Sequence, residues 1–68
     1  MFDELDVVAL LVDRPELDLS KGQTGTIVCV YGKHEAFEVE FVDDNGVTYG
    51  LATFRPEELL KLHFTKAA

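Results

Sequence analysis

A chain of 68 residues with 47% hydrophobic and 28% charged side chains has room for one small domain and is too apolar for intrinsic disorder. Its net charge of −7, from 13 acidic against 6 basic residues scattered singly, lacks the basic stripe that nucleic-acid binding draws on. No apolar run approaches the roughly 18 residues of a membrane span, the acidic "MFDELD" replaces a basic signal region, and the one cysteine excludes an internal disulfide, so a soluble cytoplasmic protein is the expectation.

The first predicted element is a strand over residues 5–12, "LDVVALLV", a β-branched run too short for a typical helix and apolar on both faces. Pro15 ends it, and Leu17 and Leu19 alternate as staples that fix a long turn, residues 13–23, onto the core. Ser20-Lys21-Gly22-Gln23 reads as a type II turn with Gly22 at its positive-φ position. The second strand covers residues 24–31, "TGTIVCVY", with Gly25 allowing a sharp bend. Two inner sets are open to it, Ile27/Cys29/Tyr31 and Val28/Val30.

After the turn "GKHE", residues 36–42 form the third strand, "AFEVEFV", which buries Phe37, Val39 and Phe41 and turns Glu38 and Glu40 to water. The fourth strand, residues 47–53, offers Val47, Tyr49 and Leu51 on one face and Thr48, Gly50 and Ala52 on the other. A three-residue loop, Asp44-Asn45-Gly46, sets Phe41 opposite Tyr49 and Val39 opposite Leu51, and so brings the large apolar residues together. That register predicts a type I turn closed by Gly46 in the left-handed region. It also places Glu38 opposite Ala52 and Glu40 opposite Gly50, a shallow acidic surface suited to a basic protein patch. "RPEEL" reads as one helical turn, with Pro56 fixing φ and Glu57 and Glu58 near its positive end, and "LLKLHF" as a last short strand. The fold class is all-β. Residues 1–68 are expected to make a single SH3-like barrel of about five short antiparallel strands, a curved sheet closing on itself, with one helical turn before the last strand and an OB-like barrel as the runner-up.

The chemical motifs fail on composition. Gly22 and Gly25 are no phosphate loop, because the G-x-x-x-x-G-K-[ST] order is absent and Lys21 precedes the first glycine. "DDNG" aligned on a calcium loop puts Phe41 at the first ligand and Ala52 at the bidentate glutamate. Glu38 and Glu40 stand on an open strand face rather than across the cleft that paired-carboxylate catalysis needs. His34 in a turn and His63 in the last strand have no cysteine pair for zinc, and Cys29 has no basic neighbour to activate it. No catalytic, cofactor-binding or metal-binding residue is assigned.

The stretches "ELDVVALL", "GQTGTIVCVY", "EAFEVEFVDDNGVTY" and "LLKL" resemble a bacterial family of very small proteins catalogued as domain of unknown function 4926. The resemblance spans roughly residues 4–62, and "EAFEVEF" is its most specific piece. It implies a small β-barrel, a non-secreted bacterial protein and a partner encoded beside it, such as a toxin and its neutraliser. It supplies no functional residues. Cys29 stands where the family pattern commonly has Glu, which implies partial exposure there. "GQTGTIVCV" alone is similar to the KOW-type barrels of ribosomal and transcription proteins.

The expected function is therefore a non-enzymatic protein-interaction module, in its narrower form antitoxin-like or accessory to a neighbouring-gene partner. Glu38 and Glu40 are its candidate protein-binding residues, and Gly22, Gly25, Gly46 and Pro56 are structural. A KOW-like nucleic-acid-binding barrel is the alternative, and an accessory domain of an enzyme the second. A protein partner is expected, with no membrane and no cofactor.

Overall fold

The computed structural model describes residues 2–63. Five strands follow in order: β1 (Val7–Leu10), β2 (Thr24–Tyr31), β3 (Ala36–Val42), β4 (Thr48–Phe54) and β5 (Leu59–Lys61). Short 3-10 turns occupy Pro15–Leu17 and Pro56–Glu58. All strand pairs are antiparallel, in the order β4-β3-β2-β1-β5. The fold is all-β, one unclosed antiparallel sheet of five strands. Among the described residues no helix is long and apolar enough to cross a membrane.

The alternating patterns of β2 and β3 place them at the residues the sequence predicts. β1 is shorter than residues 5–12, because Leu5 takes a positive φ of 75° and is 76% exposed, and the ladder ends at Leu10. β2 serves both halves of the sheet: Thr24–Thr26 pair with β1, and pairing with β3 begins at Thr26. Gly25 stands at this crossing, where a Cβ would lie 2.7 Å from Val39 Cγ1 and 2.8 Å from the Glu40 carbonyl oxygen. The expected closure does not occur. β5 has three residues and pairs with β1 only, too short a ladder to zip onto β4, so the sheet stays open.

The core consists of Val8, Leu10, Leu19, Ile27, Phe37, Val39, Phe41, Phe54 and Leu59, with no buried polar residue among those described. Each such side chain contributes about 1.5–3 kcal/mol on burial, which offsets the ordering cost of a small chain. Leu19 pins the long β1–β2 loop as the sequence suggests, but Leu17 is 44% exposed. The physical reason is the 3-10 turn at Pro15–Leu17 and the left-handed Asp18 (φ 59°), which break the alternation and let Arg14 and Leu19 exchange backbone hydrogen bonds. Gly22 has φ +95° and the Gln23 N–H donates to the Ser20 carbonyl, the geometry of the predicted turn.

β2 uses neither of the two inner sets intact. Val28 is a bulge between Ile27 (opposite Val39) and Cys29 (opposite Glu38), so the inward face passes from Ile27 to Val30. Cys29 and Tyr31 consequently join the outer face, with Cys29 half-buried.

Candidate interaction surface on the β3–β4 hairpin

The hairpin begins from its turn. Gly46 has φ +79°, its N–H donates to the Asp43 carbonyl, and the Asp43 N–H donates to the Val47 carbonyl. Asp43 also accepts from the Asn45 and Val47 amides through Oδ1, at 2.8 and 3.0 Å. This is the three-residue loop with a glycine in the left-handed position.

The register beyond the turn differs from the expected one. Val42 pairs with Thr48, Tyr49 is the extra residue of a bulge, and Phe41 then faces Gly50 and Val39 faces Ala52. Gly50, Ala52 and Phe54 therefore form the inner row, and Tyr49 and Leu51 are 48% and 57% exposed. Core volume explains the slip. Phe54 continues the phase of Gly50 and Ala52, pairs with Phe37 and packs edge-on to Phe41 at 6.1 Å between centroids. With three phenylalanines already buried there, the space beside Phe41 suits a small residue; a Cβ on Gly50 would be in ordinary contact with Leu19 Cδ2 at 3.4 Å and the Phe41 ring at 3.5 Å.

The slip changes the surroundings of the two glutamates. Glu38 faces Thr53 and Glu40 faces Leu51, in place of Ala52 and Gly50. Glu38 Oε1 accepts hydrogen bonds from Thr53 Oγ1 at 2.7 Å and Tyr31 Oη at 3.1 Å, and Glu40 Oε2 accepts one from Thr48 Oγ1 at 2.5 Å. The bond from Tyr31 to Glu38 raises the phenol's pKa, since the proton is held against an anion. The carboxylates are thus oriented by hydroxyls on both neighbouring strands. The accessible-backbone surface expected beside them is instead covered by Leu51 and Thr53.

Charge is segregated on this hairpin. From residue 36 to residue 54 the sequence has four carboxylates, Glu38, Glu40, Asp43 and Asp44, and no Lys or Arg. Cations elsewhere meet acids of other elements: Arg14 bonds Glu58, Arg55 lies 3.1 Å from Glu57, and Lys61 lies 3.2 Å from Asp6. The hairpin also exposes Val42, Val47 and Leu51, at 48%, 59% and 57%, while Tyr49, 48% exposed, lies against the Phe41 ring with its hydroxyl accepting from Gln23 Nε2 at 3.0 Å.

The remaining candidates are not brought together with these. His34 sits at φ 63° with Nε2 3.5 Å from Asp3 Oδ1, and its ring lies 6.3 Å from that of Phe37. His63 is exposed beyond the end of β5, while Phe64, the last residue of the predicted strand, lies outside the described residues. Pro56 opens the 3-10 turn, where the Arg55 N–H donates to Glu58 Oε1 at 2.8 Å. Among the described residues there is no pocket and no cluster of three His, Cys, Asp or Glu side chains that could hold a metal ion.

A family model, that of the domain of unknown function DUF4926, matches residues 4–61. The chain belongs to the DUF4926 family. No curated protein and no solved structure matches it. Sequence reasoning missed Tyr49 and Leu51 as surface groups, although counting Phe54 into β4 would have put Gly50 and Ala52 in phase with a large apolar residue.

Proposed function

We propose that this chain is a non-enzymatic protein-interaction module that docks a basic protein partner through the β3–β4 hairpin. An antitoxin-like or accessory role toward a neighbouring-gene product is the narrower form of the same reading. What supports it is the charge segregation: four carboxylates and no cation on one hairpin that also exposes four large apolar side chains. Apolar groups supply the contact area, and the acids bias the choice of partner and speed the encounter. Nucleic-acid binding would call for clustered Lys and Arg, and this surface carries the opposite sign.

The test is affinity capture from a cell lysate, followed by titration of the captured protein against a Glu38→Lys/Glu40→Lys variant checked for folding by circular dichroism. The expected result is an association rate that falls in the variant at low salt, with the difference shrinking as salt is added. An association rate unchanged at low salt removes this face as the docking site.

A further inference from the structure

β4 is a sheet edge. Its seven residues, Thr48–Phe54, lie at the end of the strand order and pair with β3 alone. Proteins blunt exposed edges with charged residues, proline, bulges or very short strands. β5, the other edge, is blunted by its length of three residues. β4 contains no charged residue and no proline, and its one bulge, at Tyr49, leaves Gly50–Phe54 in unbroken register with β3. A five-residue stretch of regular edge therefore remains open for pairing.

We infer that β4 accepts an extended, basic segment of a partner protein as a sixth strand. The inference rests on the interaction reading above and names its mode and its occupant. Strand addition draws affinity from backbone hydrogen bonds and specificity from alternate side chains. A strand added beside β4 lies about 4.8 Å from it and about 10 Å from β3. On the outer face its side chains meet Leu51 and Thr53 first, with Glu40 and Glu38 in the next row. Lys or Arg at every second position matches that order. The aliphatic stem lies on Leu51, and the cationic head reaches across to carboxylates already oriented by Thr48 and Thr53. A second copy of this chain does not fit. Edge-to-edge pairing would bring two hairpins, each with four carboxylates and no cation, into one sheet.

The experiment uses the full-length chain labelled for amide NMR and a synthetic ten-residue peptide alternating Lys with Val. A Glu-for-Lys version of the peptide is the control. The expected result is that the Lys peptide slows amide exchange within Gly50–Phe54 and the Glu peptide does not. Glu38→Gln/Glu40→Gln keeps acceptors for the hydroxyls, and should weaken binding on the order of 5-fold at low salt, as loss of two exposed ion pairs would. Leu51→Lys, at an exposed position, should weaken it as well. Protection on β5 instead of β4, equal binding of both peptides, or no binding of either overturns the inference. So does protection of β4 that rises with protein concentration alone, which would make a second copy the occupant. A lysate-captured partner that binds without protecting β4 overturns strand addition and leaves the broader interaction reading in place.

Discussion

Gly46 and Gly25 are glycine for different physical reasons, and the difference is measurable. Gly46 has φ +79° with open space around the position of a Cβ, so alanine there suffers only the backbone cost of the left-handed region, about 1 kcal/mol. Gly25 has no such dihedral constraint. Its Cβ would collide with Val39 Cγ1 at 2.7 Å, the Glu40 carbonyl at 2.8 Å and Phe41 Cδ1 at 2.9 Å. A backbone oxygen held in a ladder cannot swing aside, so Gly25→Ala should cost about 3 kcal/mol, toward the upper end for overpacking. Urea denaturation should rank wild type above Gly46→Ala, and Gly46→Ala above Gly25→Ala. Equal losses would mean that β2 and β3 separate at Gly25 more easily than the packing indicates.

Two elements far apart in sequence are tied by one carboxylate. The Arg14 guanidinium, on the β1–β2 loop, bonds Glu58 of the second 3-10 turn and lies 5.2 Å above the Phe54 ring. Burial pushes the Glu58 carboxyl up, but the Arg55 amide and the Arg14 guanidinium outweigh it and hold the net pKa below the ordinary glutamate value. A pKa lowered on folding favours the ionised form. The stabilisation is therefore complete above the unfolded glutamate range and is lost as pH falls through the lower folded value. Asp6 behaves in the same sense, because the Asp3 amide donates to it and Lys61 lies beside it, which outweighs its desolvation. Glu58→Gln should thus be less stable than wild type at neutral pH and converge with it in acid, keeping the slope due to Asp6. Urea midpoints at pH 6 and pH 3 check this, and a constant gap between the two proteins would rule out a role for the Glu58 charge.

For the whole molecule, the open β4 edge and the charge of −7 act against each other. The edge invites pairing between copies, while like charge keeps them apart. At neutral pH the chain should sediment as a monomer of 7.6 kDa, and self-association should grow as pH approaches the isoelectric point of about 4.5. Sedimentation velocity across that range tests the balance. A stable dimer at pH 7, unaffected by salt, would show that charge does not guard the edge.

β2, β3, the turn closed by Gly46 and the turn at Pro56 were legible in the sequence because each depends on neighbours in the chain: alternating apolar residues, a glycine at a positive φ, a proline opening the final 3-10 turn. Membership of the family was legible for the same reason, through contiguous stretches such as "EAFEVEF". The face that β4 turns inward, the switch of face at Val28 and the open sheet were decided by tertiary packing. Alternation in "VTYGLATF" permits either face. Phe37, Phe41 and Phe54 compete for one core volume, and the competition is resolved by placing Gly50 and Ala52 inside and making Tyr49 the extra residue of a bulge. A one-residue slip reverses every side chain of a strand, so this packing choice also decided which residues the hairpin exposes beside Glu38 and Glu40.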